Sequence, residues 1–360
     1  MSLAIDITGV PPERLLFAAS PLAELTAMLH VLAVPEHHPT YQGWAAGTRA
    51  ALKPDLAERL LEAEFLWRSS RADFLLPGRP AATLEEELDE VDRLDDETYV
   101  SAALITTCGA NRLQFGMPSP LTDPADRERA LDLAQARGPR QASFADRLIA
   151  DPRMVRARVR RMLEDCGPAF FTENWRRVRP RIAADLRLKT DLLARHGLAD
   201  TLTSVSRAVT LDADRQQIVI DKLQDNAASA ARGMTFVPTV FGHPHLVVVH
   251  APGRRPVVQY PVTAQGLPEP VPMELVNLRL QALSHPVRIR LVRTLARGSH
   301  TTGELASAWS LTTPEVSRHL AVLRKAGLLT TRRRGRYVLY ELDASATAAL
   351  GTDLMDAVLR

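Results

Sequence analysis

The strongest constraint in this 360-residue sequence lies between Thr301 and Leu342. Thr301 and Glu304 stand at the three-residue spacing of a capping box. The same spacing returns eleven residues later at Thr312 and Glu315, with Pro314 in the first turn. The first pair opens a short helix through Leu305 and Trp309. The second opens one from about Thr313 to Ala326, stopped by Gly327. Two short helices separated by a turn of three or four residues make a helix-turn-helix. Two alternating runs follow, Leu328–Thr331 and Tyr337–Leu342. They are joined by Arg332-Arg333-Arg334-Gly335-Arg336, which predicts a hairpin turning near Gly335.

On the second helix Val316, Leu320 and Leu323 fall at +4 and +3 spacing and form one apolar stripe. That turns Thr313, Ser317, Arg318 and His319 outward near the N-terminal end, the end that enters the major groove in a helix-turn-helix. Arginine pairs with guanine, serine and threonine reach base edges or phosphates, and histidine donates to either. The helix N-terminus itself favours phosphate. The hairpin would project Arg332, Arg333, Arg334 and Arg336 as a wing placed for phosphates or an adjacent minor groove. Thr312 and Arg324 complete the candidate DNA-contacting set. A hairpin whose arginines merely keep it soluble is the competing reading, because 41 of the 45 basic residues are arginine. Four arginines within five residues, directly after a recognition-type helix, favour the contact.

Two more helices precede this arrangement. One runs from about Glu274 to Leu283 and is broken by Ser284-His285-Pro286. The other begins at Pro286, bears Ile289, Leu291, Val292 and Leu295, and ends before Gly298. With Leu283-Ser284-His285-Pro286-Val287-Arg288, then Ser317-Arg318-His319-Leu320, Leu323, Ala326-Gly327-Leu328 and Gly335-Arg336-Tyr337-Val338-Leu339-Tyr340, the segment resembles the ArsR-type winged-helix regulators. This resemblance spans residues 273–342. It implies a homodimer that binds a palindromic operator on double-stranded DNA, usually as a repressor. It also places base reading on Thr313, Ser317, Arg318 and His319, and wing contacts on Arg332 to Arg336. Metal sensors of that family carry a Cys-x-Cys-type motif on the helix before the recognition helix. Here that stretch is Thr302-Gly303-Glu304-Leu305-Ala306, so thiolate sensing of arsenic or cadmium there is not expected. The whole chain is also similar to regulators of GC-rich bacteria that join an uncharacterised N-terminal domain to this module.

Charge divides the chain in the same place. From Met273 onward 13 Arg and Lys stand against 7 Asp and Glu, a net of +6, whereas the chain before Met273 carries a net of −3. A basic module on a mildly acidic body is the footprint of a nucleic-acid binder. Residues 1–210 read as a mostly helical body. Ser20-Pro21 starts one helix, and Asp151-Pro152 starts another that Gly167 is expected to stop. The second carries the stripe Val155, Val159, Met162 and Leu163 opposite Arg153, Arg156, Arg158, Arg160 and Arg161, read as a solvated face rather than a DNA contact. Residues 211–265 read as a small β-rich unit with strands at Ile218–Ile220, Met234–Val240, His245–Val249 and Pro256–Val262. Residues 266–272 read as a proline-rich linker and 273–342 as the winged helix-turn-helix. Residues 343–360 read as a final helix with Leu350, Leu354 and Val358 on one stripe, a candidate dimer surface. The expected class is α+β, predominantly helical.

Other classes find little support. No window is long and apolar enough for a membrane span, and no secretory signal opens the chain. Cys108 and Cys166 have no metal or redox spacing, which fits a reducing cytoplasm. His37-His38, His243-x-His245 and His250 are the histidine groupings; no third ligand is fixed by spacing, so ordinary loop and strand histidines are expected, with no metal and no cofactor. No phosphate-cradling loop or nucleophile elbow nominates an enzyme. The N-terminal body is expected to sense an unidentified small-molecule effector and to help dimerise. The alternative is an enzyme or protein-interaction domain in 1–265 with an attached regulatory winged helix.

Overall fold

The computed structural model describes residues 2–109, 119–221, 226–251, 253–262, 271–334 and 337–359. Gly335, Arg336 and residues 266–270 of the expected linker lie outside them. The chain divides into two compact units, Met1–Gln265 and Gly266–Arg360.

The first unit opens with strands β1 (Ser2–Asp6) and β2 (Leu15–Phe17), then helices α1 (Pro21–Ala33), α2 (Gln42–Ala51), α3 (Pro54–Ala63), α4 (Leu84–Asp92) and α5 (Asp96–Cys108). Helices α6 (Pro124–Arg137), α7 (Pro139–Ala150), α8 (Pro152–Cys166) and α9 (Thr172–Val205) follow. Strands β3 (Val209–Asp212), β4 (Gln217–Asp221), β5 (Asn226–Ser229), β6 (Met234–Thr239), β7 (Val247–Val249) and β8 (Val257–Pro261) complete the unit. Its strands form two four-stranded sheets, ordered β3-β4-β1-β5 and β2-β6-β8-β7. Both sheets take a strand from residues 2–17, which sequence patterning places with the helical body. β1 pairs antiparallel with β4, Ile5 opposite Ile218, and β2 pairs parallel with β6. All nine α-helices among the described residues of the unit intervene between these strands and their partners, so no local hairpin signal announces the pairing.

Helix α1 is apolar on every side, and such a helix belongs in a core. Twelve of its 13 residues are buried, after Ser20 caps it by accepting the Ala23 amide. Its one carboxylate, Glu24, accepts from the Thr239 hydroxyl and from the amides of Val240 and Phe241, fastening α1 to the chain that leaves β6. Glu87 of α4 accepts from the Ser20 hydroxyl and the Leu22 and Ala81 amides. Burial pushes both carboxyls up to about 7 against these hydrogen bonds.

In α8 the predicted stripe Val155, Val159, Met162 and Leu163 is buried. The arginines opposite are not simply solvated. Arg156 is buried, donates to the carbonyls of Asp92 and Leu94, and pairs with Asp96. Arg160 pairs with Asp89, Asp92 and Glu164, and Arg158 with Glu62. The face pins α8 to α3, α4 and the start of α5. Gly167 does not stop this helix. At φ −50° it stays right-handed, and the chain continues through a π-helical stretch, Gly167–Phe171, that buries Phe170 and Phe171 before α9. The stop signal needed a left-handed residue there.

The second unit contains α10 (Met273–Leu283), α11 (Pro286–Leu295), β9 (His300–Thr301), α12 (Thr302–Trp309), α13 (Thr313–Lys325), β10 (Leu329–Arg334) and β11 (Tyr337–Leu342). Two helices, α14 (Ala344–Ala348) and α15 (Leu350–Leu359), stand where one was expected. Among the described residues no helix is long and apolar enough to cross a membrane.

Candidate nucleic-acid interface

The local chemistry of the second unit builds its geometry step by step. The Leu-Ser-His-Pro-Val-Arg segment turns α10 into α11. His285 caps α11 by accepting the Val287 amide on Nδ1, while Arg288 reaches back and donates to the carbonyls of Gln281 and Ala282. Both ends of that turn thus find partners for helix-terminal groups that would otherwise be orphaned. Thr301 and Glu304 form the predicted capping box at the start of α12. Ser310, left-handed at φ 54°, ends α12, and the Thr312 hydroxyl caps α13 by accepting the Glu315 amide. Trp309 donates its indole N–H to Thr294 of α11. Leu291, Leu295, Leu305, Val316, Leu320, Leu323 and Leu328 then fill one core.

Helix α13 sorts its residues as the spacing predicts. Val316, Leu320 and Leu323 are fully buried, whereas Thr312, Thr313, Ser317, Arg318 and Arg324 are exposed. His319 departs from this pattern. It is half-buried, its ring 4.9 Å from that of His285, and burial together with the charges of His285 and Arg288 holds its pKa below the usual histidine range. His285 is the residue that sequence reasoning missed; its place in Ser284-His285-Pro286 reads only as a break between two helices.

The wing is a three-stranded sheet ordered β10-β11-β9. Strand β10 runs farther than its expected end at Thr331, through Arg334, with Arg332 opposite Leu339, Arg333 opposite Val338 and Arg334 opposite Tyr337. Three exposed arginines therefore lie on a strand rather than at a tip, and alternation places Arg332 and Arg334 on one face and Arg333 on the other. Arg336 lies outside the described residues.

A helix-turn-helix followed by an arginine-bearing β-hairpin defines the second unit as a winged helix. The chain belongs to a family of unknown function, DUF5937, whose model matches residues 1–266, and a model described as a helix-turn-helix domain matches residues 283–332. Over 77 residues the chain is 42% identical to a biofilm growth-associated repressor of Xylella fastidiosa, a match covering 21% of this chain and 67% of the relative. Over 94 residues it is 39% identical to the HTH-type transcriptional repressor SmtB of Mycobacterium tuberculosis, covering 25% and 67%. Among solved structures, the transcriptional repressor BigR from Xylella fastidiosa is 37% identical and overlaps 22% of this chain and 83% of its own, with a TM-score of 0.20.

Proposed function

We propose that this chain is a DNA-binding transcriptional repressor that reads a palindromic operator as a homodimer, with residues 1–265 receiving a small-molecule effector or reinforcing the dimer. One observation carries the reading: α13 buries Val316, Leu320 and Leu323 while leaving Thr313, Ser317 and Arg318 exposed at its N-terminal end. That end combines groove-reading side chains with the positive pole of a helix. The exposed arginines of β10 supply phosphate contacts beside it. The names of the curated relatives agree with a repressor. Met273 and Leu280 of α10 and Met355 and Val358 of α15 leave large apolar side chains exposed, which suits a second copy of the chain.

The deciding experiment titrates the full chain against DNA from its own promoter region at about 50 and about 200 mM salt. A specific Kd on the order of 10 nM, weakening steeply with salt, is expected. Equal affinity for promoter and unrelated DNA would overturn the operator reading.

A further inference from the structure

Three histidines from separate stretches of the first unit converge. His30 lies on α1, His38 sits between the short turns Pro35–His37 and Pro39–Tyr41, and His245 follows β6 before β7. One ring nitrogen of each lies within 4.8 Å of the other two. His30 and His38 are 4% and 1% exposed, and His245 is half-buried. The rings meet at steep angles, with His30–His245 centroids 4.7 Å apart, His38–His245 5.0 Å and His30–His38 5.0 Å.

Hydrogen bonding assigns the nitrogens. His30 Nδ1 lies 3.0 Å from the Trp67 carbonyl oxygen and His38 Nδ1 lies 2.6 Å from that of His243. A carbonyl only accepts, so each Nδ1 carries the proton and each Nε2 presents a lone pair. Metal-bound imidazoles are held in this way, the far N–H donating to a backbone carbonyl that fixes tautomer and ring direction. The two Nε2 atoms have no comparable settlement. His38 Nε2 is buried and has no hydrogen-bond partner among the described residues, and His30 Nε2 faces His245 Nε2 at 3.1 Å.

We propose that His30, His38 and His245 form a three-histidine site for a borderline divalent cation, zinc in the first instance, with a fourth position that His37 borders, its ring 5.5 Å from that of His245 and its Nδ1 buried without a partner among the described residues. An all-imidazole set suits zinc, cobalt, nickel or copper and does not suit calcium or magnesium, which take oxygen ligands. Buried Arg71 donates to the same Trp67 carbonyl that receives His30, and its charge acts on both rings. With three neutral ligands and a guanidinium close by, the fourth position favours an anionic ligand: hydroxide, a carboxylate or a thiolate. Glu24 supports the site from outside, because its grip on Val240 and Phe241 holds the chain that leads to His245. The site lies wholly in the first unit, and it stands whether or not the second unit binds DNA.

The test uses the purified full chain. Dialysis against zinc and then metal-free buffer should leave one zinc per chain by elemental analysis. Cobalt should titrate to one equivalent, with the intense visible absorption of a tetrahedral nitrogen-ligated ion. His38→Gln and His245→Ala should each weaken cobalt binding by at least about 100-fold, the upper end of what removing an outer-sphere partner alone costs. His196→Gln, exposed on α9, should leave it unchanged. Thermal melts identify a variant that fails to fold, and half-buried His245 is the safer of the two. Sub-stoichiometric zinc in the parent overturns the site. So does binding that survives both substitutions but disappears in His319→Ala, which would place the metal at the His285–His319 pair.

Discussion

The ring of His319 rests against that of His285, with centroids 4.9 Å apart and planes inclined at 48°. A residue whose helical position sends it to the groove is thereby partly held by the cap of α11. Of the four base-reading candidates on α13, Arg318 is the exposed cation and His319 the anchored one. Arg318→Ala should cost about 1–3 kcal/mol of operator affinity and relax specificity at one base pair, since a bidentate arginine–guanine contact is worth that much. His319→Ala should lose less affinity and about 1 kcal/mol of stability, the usual value of a packed ring pair. Binding isotherms on operator and single-base variants, read beside thermal melts, separate the two. Equal losses of specificity would place His319 in the groove.

The wing gives a second prediction through its register. Strand alternation separates Arg333 from Arg332 and Arg334. Each phosphate contact contributes about 0.9 to the slope of log affinity against log salt. Arg332→Ala and Arg334→Ala should therefore shift the slope alike, and Arg333→Ala should differ from both. Three identical shifts would mean that the strand geometry does not govern which arginines reach DNA.

Much of the second unit was legible because its signals are local. Both capping spacings, the stripe Val316-Leu320-Leu323 and the helix break at His285-Pro286 act within one or two turns of chain; the structure keeps the full box at Thr301 and Glu304, the Thr312 half of the second, the stripe and the break. What escaped depends on distance. Strands β1 and β2 pair with β4 and β6, which the chain reaches only after the whole helical body. The three-histidine cluster joins His30, His38 and His245, whereas sequence spacing groups His37 with His38 and His243 with His245, adds His250, fixes no third ligand and expects no metal. His30 gave no signal at all, because a lone histidine in an apolar helix has no local partner to mark it. The arginine face of α8 looked like a solvated stripe because its acidic partners come from α3, α4 and α5.

The C-terminal helix is tied down by a third relationship. Arg279 of α10, 9% exposed at its side chain, pairs with Asp353 of α15 and also donates to the Ala326 carbonyl at the end of α13. Removing one member of a largely buried ion pair leaves the other uncompensated. Asp353→Ala should therefore destabilise the second unit by about 3 kcal/mol. If α10 and α15 also face a second copy of the chain, the same substitution should weaken the dimer. Denaturant unfolding and sedimentation at several protein concentrations measure the two effects. A change below about 0.5 kcal/mol, the range of an exposed pair, would show that the two charges remain solvated.

Glu24 sets a pH signature for the first unit. Burial raises its carboxyl to about 7 from an ordinary 4.5, so between those values the folded protein holds a proton that the unfolded chain has released. Its contribution to stability is full below about pH 4.5 and is lost as pH rises to about 7, at no more than about 1.4 kcal/mol per pH unit. Glu87 acts in the same direction. His30 and His38 oppose both, because burial depresses their pKa values; their contribution is full above about 6.5 and falls away as pH drops. The total pH profile therefore hides each component. Comparison with Glu24→Gln removes the common terms. The variant's stability relative to the parent should climb between pH 4.5 and 7 and stay level on either side. A relative stability independent of pH in urea titrations across that range would mean that Glu24 ionises at its ordinary value, and that its bonds to Thr239, Val240 and Phe241 fully offset its burial.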